Sequence, residues 1–395
     1  MMNKFLRLIT IMMVIAFAVP VSAFAEENNS EEENNGLALA PDAKSAILLE
    51  QDTGEILFDK NAHEKLPPAS MTKIMTLLLI MEALDKGNLQ KDEMIRVSER
   101  AASMGGSQIF LEAGEEMSVN DLLKGVAIAS GNDASVALAE RLAGSEEAFV
   151  KKMNERAKEL KLENTHFQNS TGLPADNHYS TSYDMAMIAN ELLKYEAITD
   201  YTSVYEDYLR KGQDNEFWLV NTNKLVRFYP DVDGLKTGYT SEAKYCLTAT
   251  AKRDDMRVIA VVMGAESPKE RNTMVSGLLD YAFNQFETNK LFDRDEKITD
   301  IHLLKSKQKN VDIVTKQSIS TLHKKGEEEK DIQTEVKLQD TWNLPVKRGD
   351  EVGKLYVKDG EQVLYEIPLT VEEDIEKTTY FSLLKRTVQE MVKSR

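Results

Sequence analysis

Ser70 and Lys73 are the pair whose residue types and spacing could do chemistry. They lie in Pro68-Ala69-Ser70-Met71-Thr72-Lys73, which runs on into Ile74-Met75-Thr76-Leu77-Leu78-Leu79-Ile80-Met81. From Ser70 to Met81 the one charged residue is Lys73, and apolar residues fall on every side, the pattern of a buried helix. Residues three apart on a helix are neighbours, so the Lys73 amine is expected one turn above the Ser70 hydroxyl. Burial removes hydration from an ammonium and lowers its pKa toward the range of a base. A serine is a weak nucleophile until a base takes its proton, so this is a candidate activated nucleophile. Alone the motif says little. S-x-x-K occurs at Ser70, Ser241, Ser306 and Ser382, and an isolated match is ordinarily a surface serine beside a solvated lysine.

Two further groupings accompany it. Ser130-Gly131-Asn132 separates two apolar helices: one opened by Ser118, with Asp121 in capping-box position and Leu122, Leu123, Val126, Ala127 and Ala129 behind it, and one beginning at Asp133-Ala134. A polar triplet in such a loop can project into a cleft, although it is also an ordinary helix junction, and Ser118-Val119-Asn120 repeats the S-x-N pattern. Lys236-Thr237-Gly238 occurs once, ahead of the strand runs Cys246 to Ala251 and Val258 to Met263, which Arg253-Asp254-Asp255 joins. Glycine inside a strand marks close approach of a ligand or another backbone. Lys236 and Thr237 offer a cation and a hydroxyl beside that gap, a seat for a carboxylate. The plainer alternative is a lysine on an edge strand next to a turn glycine.

The elements that must position these groups are legible in outline. Ser45 to Leu49 and Ile56 to Phe58 flank Asp52-Thr53-Gly54, a hairpin leading into the Ser70 helix, which ends near Gly87. Ser267-Pro268-Lys269-Glu270 opens a helix with a Ser cap, Pro at the first position and Glu closing a capping box. Leu278, Leu279, Phe283 and Phe286 supply its buried stripe. Past about Lys290, the runs Ile301 to Leu304, Val311 to Val314, Val352 to Val357 and Val363 to Ile367 alternate with charged turns such as Lys358-Asp359-Gly360 and predict a small all-β domain. It carries no catalytic constellation and is expected to serve spacing or partner contact. In Glu376 to Arg395, Phe381, Leu384, Val388 and Met391 recur at helical spacing with Lys385, Arg386, Gln389, Lys393 and Arg395 off that stripe, and from Lys377 onward the charge is +4. Such a helix is expected to lie in a membrane interface, the alternative being a helix docked on the β domain.

Composition bounds the rest. The chain has 395 residues, 42% hydrophobic and 29% charged, globular and long enough for roughly two to three domains. Met1 to Ala25 is expected to be a secretory signal peptide, with Lys4 and Arg7, the apolar run Leu8 to Val19 and the Ala23-Phe24-Ala25 cleavage site; the run is short for an anchor helix. Its removal takes the net charge from −17 to −19, which argues against nucleic acid as a partner. Glu26 to Gly36 is expected to be a disordered polar linker. The single cysteine, Cys246, cannot form an internal disulfide and is expected to be a small core residue.

The three groupings come in order, on a buried helix, a loop and a strand. The combination resembles the penicillin-interacting serine acyl-enzymes. Residues 41 to 288 resemble in particular the D-alanyl-D-alanine carboxypeptidase, or low-molecular-mass penicillin-binding protein, family. The lead-in Ala46 to Lys73, Gly105-Gly106-Ser107, His166 to Pro174 and Val232 to Tyr239 carry the likeness, and the sporulation-associated branch is a plausible subgroup. The resemblance implies an α+β fold with an antiparallel sheet flanked by helices and an all-helical subdomain. The expected division is a leader over 1–25, a linker over 26–40, the enzyme over 41–288, a small all-β domain over 291–371 and an amphipathic helix over 375–395.

The same resemblance implies roles. Ser70 attacks the carbonyl between two terminal D-alanines of a peptidoglycan stem peptide and Lys73 takes its proton. Ser130 relays a proton to the leaving amine, and Asn132 binds the substrate amide. Lys236 and Thr237, with Gly238 beside them, hold the terminal carboxylate. The backbone N–H groups of Ser70 and Tyr239 form the oxyanion hole; relatives often carry His where Tyr239 stands. No metal or organic cofactor is implied, β-lactams are implied as inhibitors, and the expected location is the outer face of the cytoplasmic membrane in the cell-wall space. Among rivals, a class A β-lactamase needs an E-x-x-L-N segment, and the chain contains no Leu-Asn dipeptide. A zinc peptidase needs clustered ligands, and His63, His166, His178, His302 and His323 include no H-x-x-H or H-x-x-x-H pair. A non-catalytic penicillin sensor could keep every motif, and release of D-alanine separates it from an enzyme.

Overall fold

The computed structural model describes residues 38–327 and 331–393, with side chains to residue 386. The leader and nearly all of the expected linker lie outside the described residues. Ala40 is already buried, and Lys60 Nζ donates to its carbonyl oxygen.

The organising element is an antiparallel five-stranded sheet: β1 (Ser45–Glu50), β2 (Ile56–Lys60), β3 (Val232–Thr240), β4 (Lys244–Arg253) and β5 (Met256–Ala265), in spatial order β2-β1-β5-β4-β3. The β1–β2 pair is the hairpin expected around Asp52-Thr53-Gly54, and β4–β5 turn at Arg253-Asp254-Asp255. Both faces are covered, and the two-residue period of a strand sorts side chains between two cores. Ile47, Leu49, Ile259, Val261 and Met263 face the helical subdomain. Ala46, Leu48, Val258, Ala260 and Val262 face the long helix Pro268–Gln285 and share a core with its residues Leu278, Leu279 and Phe283. Ser267 caps that helix by accepting from the Glu270 N–H. Phe286, expected on its stripe, begins the next strand instead and is half-buried. Cys246 lies wholly in the core, and burial pushes its thiol up to about 11.

The helical subdomain packs around Lys73–Asp85, eleven of whose residues are buried. Ser118 caps Val119–Ala127 through Asp121 N as expected, and Asn132–Ala143 follows directly. One local difference matters. The sequence predicts an α-helix from Ser70, but Ala69–Thr72 is a 3-10 turn and the α-helix begins at Lys73. Ala69 stands at φ +47°, outside the right-handed helical region, so no regular α-helix runs through it into Ser70.

Beyond the long helix, Phe286–Phe292 pairs with Ile319–Lys324, and a second five-stranded sheet has the order Lys297–His302, Asn310–Thr315, Gln362–Val371, Gly353–Asp359, Ile332–Leu338. This all-β region has its own core of Val311, Ile313, Leu355, Val357, Leu369 and Val371. It meets the β1–β2 hairpin through Ser320 Oγ on Asp52 (2.6 Å) and Tyr365 OH on Glu55 (2.6 Å). The last helix is Tyr380–Lys393, starting later than the expected 375.

Candidate active site

Of the four S-x-x-K lysines, Lys73 alone is completely buried, at 0% exposure; Lys309 and Lys385 are exposed and Lys244 is half-buried. Its Nζ sits 3.1 Å from Ser70 Oγ, 2.6 Å from Asn132 Oδ1 and 2.8 Å from the Thr171 carbonyl oxygen. A neutral amine has two hydrogens and one lone pair. The two carbonyl-type oxygens can only accept, so they take both hydrogens. Ser70 is the one contact able to donate, and the lone pair is left to face its hydroxyl. Desolvation holds Lys73 well below the ordinary lysine range, the charge of Lys236 acts in the same direction, and Asp133 opposes them. Ser70 itself is half-buried, open enough to meet a substrate.

Asn132 is locked from both ends, since its Nδ2 also donates to Gly105 O at 2.6 Å. Its backbone N–H donates to Ser107 O, so the Gly105-Gly106-Ser107 turn fixes the residue that fixes Lys73. A Cβ on Gly106 would stand 2.7 Å from Asn132 Nδ2. Asp133 holds the following loop by accepting the N–H groups of Ile109 and Leu111. Ser130 adopts φ +65°, and its buried Oγ has no hydrogen-bond partner among the described residues. A buried hydroxyl without a partner costs about 1–3 kcal/mol, a cost that a bound ligand would remove.

Lys236 is 1% exposed, and its Nζ donates to Thr237 O at 3.0 Å. Burial lowers it to about 7, with the Arg271 guanidinium adding to the shift. Thr237 Oγ1 lies 2.7 Å from Thr222 Oγ1, and Thr222 N–H donates to Ile128 O, which ties β3 to the loop carrying Ser130. β3 is an edge strand, so its outer backbone groups are available for a peptide to add alongside. Gly238 is required by backbone approach: a Cβ there would meet Pro68 O at 2.7 Å and Ala69 Cβ at 3.2 Å. Gly172 presses from the other side, and Ala69 between them is held at φ +47°. The turn carrying Ser70 is clamped.

His178 braces the same turn. Its Nδ1 accepts from Gln168 N–H at 3.2 Å, so Nε2 carries the proton and donates to Thr72 Oγ1 at 2.8 Å. Burial lowers its pKa to about 4, with His166 contributing.

The structure therefore gathers Ser70, Lys73 and Asn132 into direct contact and brings Lys236, Thr237 and Gly238 against the same turn, with Ser130 buried next to Asn132. Sequence reasoning missed the parts played by Thr171, Thr222, His178, Arg271 and Asp133. Thr171 acts through a carbonyl that every residue possesses, and Thr222 and His178 lie far along the chain from what they touch. Gly105-Gly106 was visible as a motif, but not as a support for Asn132.

Comparison with known proteins adds independent findings. Residues 29–267 match the family described as D-alanyl-D-alanine carboxypeptidase, and residues 286–377 match the C-terminal domain of penicillin-binding protein 5. The chain is 55% identical over 381 residues to D-alanyl-D-alanine carboxypeptidase DacF of Bacillus subtilis, covering 96% of each. Among solved structures it is similar to penicillin-binding protein 5 of Haemophilus influenzae, at 30% identity and TM-score 0.65, over 85% of this chain and 98% of that one. It is also similar to penicillin-binding protein D2 of Listeria monocytogenes in its ampicillin-bound form, at 31% identity and TM-score 0.55, over 61% of this chain and 98% of that one.

Proposed function

The chain belongs to the D-alanyl-D-alanine carboxypeptidase family, and from that premise we propose that Ser70 is the acylating nucleophile and Lys73 its general base. The protein is a serine-type D-alanyl-D-alanine carboxypeptidase that acts on peptidoglycan and is a target of β-lactams. The observation that carries the residue assignment is the fully buried Lys73 amine, 3.1 Å from Ser70 Oγ and held there by Asn132 Oδ1 and the Thr171 carbonyl.

Lys73 takes the Ser70 proton as Oγ attacks the carbonyl between the two terminal D-alanines. The oxyanion is received by the backbone N–H groups of Ser70 and Tyr239, an arrangement commonly worth several kcal/mol of barrier. Ser130 relays to the departing amine the proton that Lys73 took from Ser70, using the hydroxyl that otherwise has no partner, so that both side chains end as they began. D-alanine leaves, and water hydrolyses the ester to restore Ser70. Asn132 orients Lys73 and has a second N–H for the substrate amide. Lys236 and Thr237 bind the terminal carboxylate, with Arg271 reinforcing the positive field. Intact-protein mass spectrometry after benzylpenicillin treatment tests the nucleophile. A penicilloyl adduct on wild type and none on Ser70→Ala is expected; equal labelling of both would reject Ser70.

The leader makes the protein an exported one, and the Tyr380–Lys393 helix attaches it to the membrane surface. In support, Tyr380, Phe381 and Leu384 are 76%, 82% and 52% exposed rather than docked on the β region, while Arg386 donates to the carbonyls of Ser306 and Lys307. No helix among the described residues is long and apolar enough to cross a membrane. Phe381→Ser with Leu384→Ser should abolish co-sedimentation with anionic lipid vesicles; undiminished binding would refute the anchor.

A further inference from the structure

The turn 109–111, one step beyond the glycines that hold Asn132, is gripped from two sides. From within, Asp133 accepts the N–H of Ile109 at 3.1 and 3.0 Å and the N–H of Leu111 at 3.1 Å, and its Oδ1 also accepts from Ala134 N–H at 2.9 Å. From without, Arg210 donates from Nη1 to Ile109 O at 3.1 Å and from Nη2 to Phe110 O at 3.3 Å. The same guanidinium holds Glu115 through Nε at 2.6 Å and Nη2 at 3.0 Å, and its side chain is 7% exposed. Arg210 follows the strand Glu206–Leu209, which pairs with Phe217–Val220 and buries Leu209 and Leu219 in the helical core, so the outer grip has a fixed base. Between the two grips Phe110 stands at φ +56° with its side chain exposed. A bulky residue keeps that conformation only where its surroundings over-determine it, and such residues cluster at active sites.

Asp133 also faces the reacting groups. It is buried, it has no ion-pair partner among the described residues, and in every hydrogen bond it makes its oxygens accept, the pattern of an ionised carboxyl. A Cβ on Gly131 would come within 2.9 Å of Asp133 Oδ1, so the carboxylate lies against the Ser130–Asn132 loop. Asn132, its neighbour in the chain, holds Lys73 Nζ at 2.6 Å. Two charged groups act on that amine: Lys236 from β3 disfavours its ammonium form, and Asp133 from the helix Asn132–Ala143 favours it. On the other sides Ser70 and Thr171 present uncharged groups, His178 behind Thr72 is neutral above about 4, and Glu146 behind Ser170 is paired with Arg100.

We propose that Asp133 is a positioning residue for the attack by Ser70: seated in the turn that Arg210 holds, its carboxylate fixes Asn132 against Lys73 and supplies the negative charge that balances Lys236 across the amine. This rests on Lys73 being the base for Ser70, as assigned above.

The test measures kcat/KM for D-alanine release from diacetyl-L-lysyl-D-alanyl-D-alanine between pH 4.5 and 9. Without the negative charge Lys73 is harder to protonate. Asp133→Asn should therefore carry the acid limb to lower pH, raising the ratio of kcat/KM on that limb to its maximum about fivefold over wild type. Asp133→Glu keeps the charge and should return the limb to its wild-type position. Arg210→Gln frees the turn without touching either charge on Lys73, and should lower the maximum about tenfold with the acid limb unmoved. That variant is read even where Asp133→Asn does not fold. An aspartate that only braced the loop would lower the maximum in Asp133→Asn and leave the limb in place. That result, or an Arg210→Gln maximum within twofold of wild type, would overturn the proposal while leaving Ser70 and Lys73 in their roles. A wild-type enzyme that released D-alanine with no acid limb at all would remove the Lys73 assignment instead, and the proposal with it.

Discussion

Replacing Gly172 by alanine should disable acylation from outside the set of reacting residues. Gly172 has φ +82°, and a Cβ there would lie 1.8 Å from Ala69 O, 2.3 Å from Ala69 C and 2.9 Å from Ser70 N. Real Cβ atoms do not come within 3.0 Å of such atoms, so about 1.2 Å of movement must be found between two backbones. On one side the movement displaces Ser70. On the other it displaces the Thr171 carbonyl that orients Lys73. A misplacement of about 1 Å can cost about 100-fold in rate, or about 2.7 kcal/mol of barrier. The left-handed conformation adds about 1–2 kcal/mol of lost stability for any L-residue. Gly54→Ala isolates that second effect: Gly54 has φ +72° and nothing within 4 Å of its added Cβ. The assay is the acylation rate with a fluorescent penicillin, alongside thermal unfolding of both variants. Gly172→Ala should lose about two orders of magnitude in acylation, and Gly54→Ala should lose stability with its acylation rate kept. A Gly172→Ala enzyme within threefold of wild type would refute the clamp.

Two further outcomes follow from the buried bases. With Lys73 required neutral and Lys236 required charged, kcat/KM should follow a bell, its alkaline limb near the value of about 7 that burial gives Lys236. Lys236→Arg should carry that limb far upward while the acid limb stays with Lys73, and an unchanged alkaline limb would exclude Lys236 from carboxylate binding. His178 is held neutral to about 4 when folded but titrates near 6.5 when unfolded, so its contribution is complete above 6.5 and lost as pH falls toward 4. At pH 4 the loss relative to pH 7 is about 3 kcal/mol, an order-of-magnitude figure. Denaturant unfolding of His178→Gln across this range should show a flatter acid dependence, and a slope equal to that of wild type would contradict the bracing role.

The parts of the fold governed by short-range pattern were legible in the sequence. The β1–β2 hairpin, the Ser118 and Ser267 caps and the β4–β5 pair are each set by residues within a few positions of one another. Strands Phe286–Phe292, Ile319–Lys324 and Ile332–Leu338 escaped notice because polar residues interrupt their apolar ones, and in Ile319–Lys324 two of the four buried residues are the polar Ser320 and Thr321. The site divides in the same way. Ser70, Lys73, Ser130, Asn132, Lys236 and Thr237 announce themselves by side-chain chemistry in tight motifs. Their supports do not: the Thr171 carbonyl on Lys73 is 98 positions away, and the His178 ring on Thr72 is 106. Gly238 could be read as a close-approach glycine, but what approaches it, the Pro68 carbonyl, is fixed only by the tertiary fold.

The protonation state of Lys73 is the point on which the chemistry turns, and a lysine side-chain NMR titration reads it directly. With 13Cε-labelled lysine, and the Lys73 signal identified by its loss in Lys73→Arg, the shift should pass from that of an ammonium to that of a neutral amine at a pH well below the ordinary lysine range. A Lys73 signal that stays that of an ammonium up to pH 9 would contradict the assignment of this amine as the base for Ser70.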